Sequence, residues 1–263
     1  MMTAPFHMLR LQPDMPGLVR WAHARSLVGR SGDLSYALHA ALAAAFGDDA
    51  PKPFRLVEKQ TDTGAAGAPM LLGYSNADRQ KLLAHAKSMD RDQADLAKIL
   101  CLDGLALKAM PERWAVGARY HFEVRVRPIV RTDGDTGRKS VRERDAFLHA
   151  CDQMGDGAAD RVDRGVIYAD WLSSRIEKSG GAHVIGAEQG RAGCTLAAFQ
   201  RLRIARKNSA RTLHEIEGPD AIMTGLLEVT NSDRFHDLLR RGIGRHRAFG
   251  YGMVLLKPST NGG

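Results

Sequence analysis

The sequence predicts an α+β fold in which the order strand, helix, strand, strand, helix, strand is run through twice. Three observations carry this. A chain of 263 residues with 44% apolar content can bury a core large enough to divide into two modest domains. From Arg119 to Val130, Tyr120, Phe122, Val124 and Val126 alternate with His121, Glu123, Arg125 and Arg127. That period of two marks a strand with one face buried and the other partly cationic. Between Met110 and Gly117, Pro111 breaks any continuing element, so the expected domains are 1–112 and 117–258.

In the first unit Met8 to Gln12 reads as a short strand. A turn-rich stretch follows, and Asp33 is placed to cap a helix from Leu34 to Phe46. Phe54 to Gln60 and Met70 to Tyr74 look like a hairpin joined by the Gly- and Ala-rich linker Thr61 to Pro69. Ala77 to Met89 is a second helix, Arg91 to Leu102 extends it or starts another, and Leu105 to Ala109 closes the sheet. This βαββαβ order is that of a ferredoxin-like domain, a scaffold that RNA-recognition modules use.

In the second unit the strand from Arg119 is followed by helical stretches Val141 to Met154 and Val166 to Lys178. The polar, Gly- and Asp-rich Gly155 to Gly165 separates them. Leu196 to Ala205 and Ala221 to Thr230 read as strands, Asp233 to Arg241 as a helix, and Met253 to Leu256 as the last strand.

Between that helix and that strand lies Gly242-Ile-Gly-Arg-His-Arg-Ala-Phe-Gly-Tyr-Gly252. Its glycines, Gly242, Gly244, Gly250 and Gly252, let the backbone approach a ligand and turn consecutive amides toward an anion that Arg245 and Arg247 would neutralise. His246 sits in the same loop. A dinucleotide fingerprint is excluded, because a G-x-G-x-x-G register starting at Gly242 ends on Arg247 and the loop leads from helix to strand. No Gly-Lys-Ser/Thr follows, so a nucleotide P-loop is excluded too. Taken alone, the loop fits a plain helix-to-strand connection as well as a phosphate cradle.

Charge points toward nucleic acid. Lys and Arg number 38 against 30 Asp and Glu, a net +8, and both Arg201 to Arg211 and Leu238 to Lys257 contain no acid. The pool of phosphate contacts is Arg125, Arg127, Arg131, Arg138, Lys139, Arg142, Arg201, Arg203, Arg206 and Lys207. Cys101, Cys151 and Cys194 are odd in number and form no C-x-x-C pair, which argues for buried, inert thiols and against a disulfide framework or a thiolate zinc site. The ten histidines make no H-E-x-x-H, so neither a metal nor another cofactor is expected. No stretch approaches the roughly 20 apolar residues of a membrane span, and no signal peptide is legible, so a soluble cytoplasmic protein is expected.

The first helix carries the side chains with the most chemistry. At 100° per residue Leu38, Leu42 and Phe46 fall within about 120° of Leu34, the stripe of a helix packed on a sheet. Tyr36 and His39 are neighbours at the edge of that stripe, and the small Ala40 and Ala43 leave space beside them. A partly shielded imidazole there can titrate near neutrality as a general acid or base, although a boundary histidine without chemistry fits the same position.

Together these residues resemble the CRISPR repeat-processing endoribonucleases of the CasE type from type I-E systems, with a type IV relative as a variant. Three segments carry the resemblance: Leu34-Ser-Tyr36-Ala-Leu-His39, similar to the family's Tyr-x-x-His on its first helix; Arg125-Val-Arg-Pro-Ile129, followed by a basic run; and Ile222 to Lys257 with the glycine loop. The resemblance implies two tandem ferredoxin-like (RRM-like) domains that bind a repeat hairpin in precursor CRISPR RNA and cut once at the 3′ base of its stem. The product would join a multi-subunit effector complex. It implies proton transfer by His39, phosphate positioning by Tyr36 and no metal, since the RNA supplies its own 2′-hydroxyl nucleophile. One departure is plain: a lysine that some relatives carry a turn beyond the histidine is replaced by Ala43-Ala-Ala45. The cation must come from elsewhere, with Arg25, Arg30, Arg245 and Arg247 as candidates. The segment from Asp145 to Val166 is also longer than the family pattern.

Two other classes fit parts of the sequence. A non-catalytic RNA-binding subunit of the same complexes would use the scaffold and the charge but not the Tyr36–His39 pair. A ferredoxin-like enzyme for a small phosphorylated ligand would need a closed pocket rather than acid-free strands.

Overall fold

The computed structural model describes residues 5–57, 67–87, 94–132, 142–155, 157, 161–186, 193–207 and 212–259. The first half contains β1 (His7–Leu11), α1 (Met15–Ala24), α2 (Ser35–Phe46), β2 (Phe54–Val57), β3 (Met70–Ser75), α3 (Arg79–Lys87), α4 (Ala94–Ile99) and β4 (Ala106–Ala109). The second contains β5 (Arg119–Val126), β6 (Ile129–Thr132), β7 (Arg142–Asp145), α5 (Ala146–Met154), α6 (Arg164–Ser179) and β8 (Ala182–Val184). It continues with β9 (Cys194–Lys207), β10 (Leu213–Val229), α7 (Ser232–Arg241) and β11 (Val254–Pro258).

Both sheets are antiparallel and share one topology. The first runs β2-β3-β1-β4 and the second β11-β5-β10-β8, with β9 pairing along the rest of β10. In each, the first and third strands of the unit lie in the centre, which is the ferredoxin-like arrangement the βαββαβ order predicts. A separate hairpin, β6 with β7, projects from the second unit.

Period two sorts the first sheet's side chains. Leu9, Leu11 and Leu71 pack on Leu38, Leu42 and Phe46 of α2, the stripe expected from helical spacing. On the other face Met8, Leu72 and Tyr74 join the core of the second half, and Tyr74 Oη donates to the Val254 carbonyl at 2.9 Å. In β5, Phe122, Val124 and Val126 are buried, as their alternation indicates.

Several local expectations need correction. The turn-rich stretch before α2 contains helix α1, because Pro16 in a first turn is compatible with helix initiation and Leu18 and Ala22 supply a buried face. The strand from Arg119 breaks at Arg127-Pro128 into β5 and β6. The region read as helix from Val141 is strand β7 through Asp145; Arg142-Glu-Arg-Asp145 has no apolar helical stripe and pairs with β6 instead. Asp145 then caps α5 through the Phe147 amide at 2.8 Å. Leu34, not Asp33, occupies the N-cap position of α2, although the Asp33 carboxylate does accept from the Ser35 amide (3.3 Å) and hydroxyl (2.9 Å). Of the thiols expected to be buried, only Cys194 is; Cys151 is half-buried and Cys101 exposed. Much of the Thr61 to Pro69 linker lies outside the described residues.

Candidate active site and nucleic-acid interface

The start of α2 is docked on the second half of the chain. The Ser31 amide donates to Glu215 at 2.8 Å and its hydroxyl donates to the Arg203 carbonyl at 2.9 Å, both on the β9–β10 hairpin. That fixes the direction in which the helix presents its side chains. Tyr36, His39 and Ala43 lie half-buried on one side. Ala40, expected to leave space there, packs instead against the cluster of Ala22, Leu27 and Ala37 beside α1.

The glycine loop is closed on itself. The Ile243 amide donates to the Gly252 carbonyl at 2.9 Å, and the Gly252 amide donates to the Arg125 carbonyl of β5 at 2.7 Å. Gly242, Gly244, Gly250 and Gly252 all adopt positive φ, as does His246 at 60°. Gly252 is the most constrained: at φ 78° a Cβ would stand 2.3 Å from the Ile243 carbonyl oxygen. A Gly252→Ala substitution is expected to cost about 1–2 kcal/mol for the left-handed backbone alone, and more because the strut to Ile243 must move. Thermal unfolding checks this against Gly32→Ala, whose φ of 72° is similar but whose added Cβ meets nothing within 4 Å. The Gly252 variant should melt clearly lower than the control.

Within the loop, Arg247–Phe249 forms a 3-10 turn that carries Phe249 to α2. The His39 and Phe249 ring centroids are 5.1 Å apart, and Tyr36 stacks on Phe249 at 6.2 Å with planes 20° apart. Tyr36 and His39 themselves are 6.1 Å apart. Helix and loop, some two hundred residues apart in sequence, thus meet through three rings. Burial lowers the His39 pKa below its ordinary value, and the positive charge of Lys52 lowers it further. The imidazole is therefore neutral at pH 7.

Lys52 is the residue of this candidate site that sequence reasoning missed. It lies between Pro51 and Pro53, is exposed, and lines a cavity of about 290 Å³ with Arg206 and the loop residues Gly244 to Phe249. Its position in a short proline-flanked connection carries no periodicity, so nothing in the sequence marks it. Of the cations proposed from sequence, Arg25 stacks on Trp21 at 5.0 Å and Arg30 lies beside Glu215. Arg245 and His246 share Glu143 of β7, with His246 Nε2 2.9 Å from its carboxylate. The hydrogen bond from His246 does most to hold the Glu143 pKa down to about 2, with the charge and hydrogen bond of Arg245 adding to it. The His246 side chain is only 3% exposed, an anchor rather than a free loop histidine.

The pool of basic residues divides sharply. Arg125 and Arg127, read as part of a cationic face, are withdrawn from solvent, Arg125 half-buried and Arg127 buried. Arg125 makes two hydrogen bonds to Asp220, at 2.7 and 2.8 Å, and lies over the Tyr251 ring at 4.7 Å. Arg127 is 2% exposed and stands 5.7 Å over the same ring. The alternation in β5 was legible, but the partner covering its second face, Asp220 with Tyr251, was not. Arg201 and Arg203 are exposed and share Glu217 at 2.8 and 2.9 Å. Arg206 faces the Lys52 cavity, and Arg131 is exposed in a separate groove. Arg142 begins β7 and Lys207 ends β9, whereas Arg138 and Lys139 lie outside the described residues. Among the described residues no three His, Cys, Asp or Glu side chains gather as metal ligands, and no helix is long and apolar enough to cross a membrane.

Solved structures share this fold. A CRISPR endoribonuclease Cse3 bound to a 19-nucleotide RNA superposes with a TM-score of 0.61 at 17% identity, over 97% of this chain and 100% of that one. Thermus thermophilus Cse3, bound to an RNA representing a pre-cleavage complex, gives 0.55 at 17% identity, over 97% and 100%. A chain of a CRISPR RNA-guided surveillance complex gives 0.54 at 14% identity, over 96% and 100%. At these identities the likeness is one of fold. No curated protein sequence matches the chain. The sequence model of one family, described as CRISPR associated protein, matches residues 8–258, and the chain belongs to that family.

Proposed function

We propose that the protein is an endoribonuclease that binds the repeat hairpin of precursor CRISPR RNA and cuts it at the 3′ base of the stem. Family membership and a fold shared with endoribonucleases solved on RNA support this reading. The observation that carries it is the packing of His39 and Tyr36 against Phe249 of a glycine loop whose other wall is Lys52 and Arg206. In the reaction the 2′-oxygen attacks the adjacent phosphorus and the bond from phosphorus to the 5′-oxygen breaks. The products are a 2′,3′-cyclic phosphate and a 5′-hydroxyl, the leaving 5′-oxygen taking its proton from water. His39, neutral in the free protein, takes the proton of the 2′-hydroxyl as general base, and Tyr36 donates to a phosphate oxygen. The turn at Gly242, Gly244, Gly250 and Gly252 holds Arg245 and Arg247 toward the phosphate. The domains expected at 1–112 and 117–258 contribute the histidine and the loop respectively, and a multi-subunit complex, like the surveillance complex that shares the fold, receives the product.

The test is incubation of the purified protein with labelled CRISPR repeat RNAs in excess chelator. One cut per repeat, leaving a cyclic phosphate, is expected; repeat RNAs that all stay intact would sink the reading.

Lys52 takes the place of the helix lysine absent at Ala43. It stabilises the charge that grows on the phosphate, a role for which a single preorganised donor contributes about 10²–10³ in rate. Lys52→Ala is therefore expected to slow cleavage by that order. The same change removes one of the two causes that depress His39, so the acid limb of kcat/KM moves upward toward pH 6.5. A rate loss with no movement of that limb would separate Lys52 from His39.

A further inference from the structure

A second cationic cavity lies behind the glycine loop, and the chemistry above makes no use of it. It is a groove of about 570 Å³ between the loop, β6, α6 and α7. Its walls carry Arg131, Arg175, Lys178, Arg234 and Arg241, joined by Arg245 and Arg247 from the loop. The one acid among its lining residues, Asp237, is already held by Arg240 and Arg241 at 3.1 and 3.3 Å. Arg131, Lys178 and Arg234 are exposed and make no ion pair with any of the described residues. Arg175 lies 4.2 Å over the Trp171 ring, and its Nε is buried without a partner. Ile129, Leu238 and Ile243 add apolar surface to the same lining. So many cations around one acid repel each other across the groove, and a polyanion relieves that repulsion.

The connection to the site around His39 identifies the polyanion. Arg247 lines this groove, the cavity beside Lys52 and a third cavity that contains Asn76 and Arg240; Gly244 and Arg245 line the first two. A strand held at Lys52 therefore needs only to pass Arg247 to enter the groove. Apolar surface between guanidinium groups suits riboses and bases between phosphates, whereas an acidic peptide has no reason to run on toward His39.

We infer that the groove behind the glycine loop binds the phosphodiester backbone of the RNA strand continuing from the scissile phosphate, so that the RNA crosses over the loop rather than ending at it. This rests on the endoribonuclease reading and names a substrate contact of the same site. The strand could be the one upstream of the cut or the one downstream, and the test separates them.

Wild-type cleavage of unmodified repeat RNA is measured first, so that a failure of the enzyme reading is seen by itself. Binding is then measured on RNA carrying a 2′-deoxy residue at the cut, either full-length or trimmed on one side. The Arg131→Glu/Lys178→Glu variant is expected to bind full-length RNA roughly tenfold more weakly at low salt. Its slope of log affinity against log salt should be shallower by about 1.4, since each lost single-strand phosphate contact removes about 0.7. On one trimmed RNA, and only one, variant and wild type should bind alike, which names the arm. Trimming that arm should flatten the wild-type slope by the same amount, a readout that holds even if the variant folds poorly. Equal losses on both trimmed RNAs, or a wild-type slope indifferent to trimming, would overturn the inference.

Discussion

Replacing His39 with alanine is expected to slow cleavage of the repeat RNA by about 10²–10⁴, the usual contribution of a positioned general base. RNA affinity should stay close to that of the wild type, because the ring is half-buried against Phe249 and supplies no charge at neutral pH. The pH dependence follows from the same geometry. Burial and then Lys52 disfavour the imidazolium, so His39 loses its proton below its ordinary pKa of 6.5. A base must be neutral, so kcat/KM should be flat at and above pH 7 and fall in acid with an inflection below 6.5. A rate that instead rises as the pH drops through that range would make the histidine the acid. Full activity in the His39→Ala variant would remove it from the chemistry altogether. Thermal unfolding separates either outcome from collapse: the ring lies at the edge of the packed stripe, so its truncation should leave the melting temperature within a few degrees.

That pair was legible because it depends on one helix alone. Spacing places Tyr36 and His39 together beside Leu38 and Leu42 whatever surrounds the helix. The two sheets were legible in the same way, through the order and period of their strands. Signals that need a second element were not. Lys52 reaches the loop only because Pro53 packs against Gly242, where an added Cβ would stand 2.8 Å from the proline ring. Glu143 meets Arg245 and His246 because β7 pairs with β6, and the charged run Arg142 to Asp145 looks helical as readily as extended. Acid-free stretches identified a basic surface but not its partners in space: Arg201 and Arg203 find their acid, Glu217, on the next strand. Charge counted along the chain overstates the charge that is free to meet RNA.

Asp220 is the sharpest case, and its removal should have the largest effect on stability. Burial by itself would raise its pKa, but hydrogen bonds and charge from Arg125 outweigh this, and the carboxyl titrates below its usual value. Its side chain is 4% exposed and accepts from Arg125 twice and from Gln200 Nε2 at 2.7 Å. Asp220→Ala leaves two guanidinium groups around Tyr251 without their counter-charge, and breaking a buried pair from one side typically costs about 3–5 kcal/mol. In a chain of this length that corresponds to a fall in melting temperature of roughly 10 °C. The stabilisation is present above the carboxyl's unfolded pKa, near 3.8, and is lost as the pH falls through the lower folded value, so the difference between wild type and Asp220→Ala should shrink in strong acid. Removing both partners in Asp220→Ala/Arg125→Met should recover part of the loss, because Arg127 is then the one guanidinium of the two left without its counter-charge. The double variant also decides what Arg125 is for. If it were an RNA contact, its loss would lower affinity and flatten the salt dependence while stability recovered. If it braces the loop through its guanidinium over Tyr251, affinity at low salt should survive while cleavage falls, since Phe249 would be held less firmly against His39.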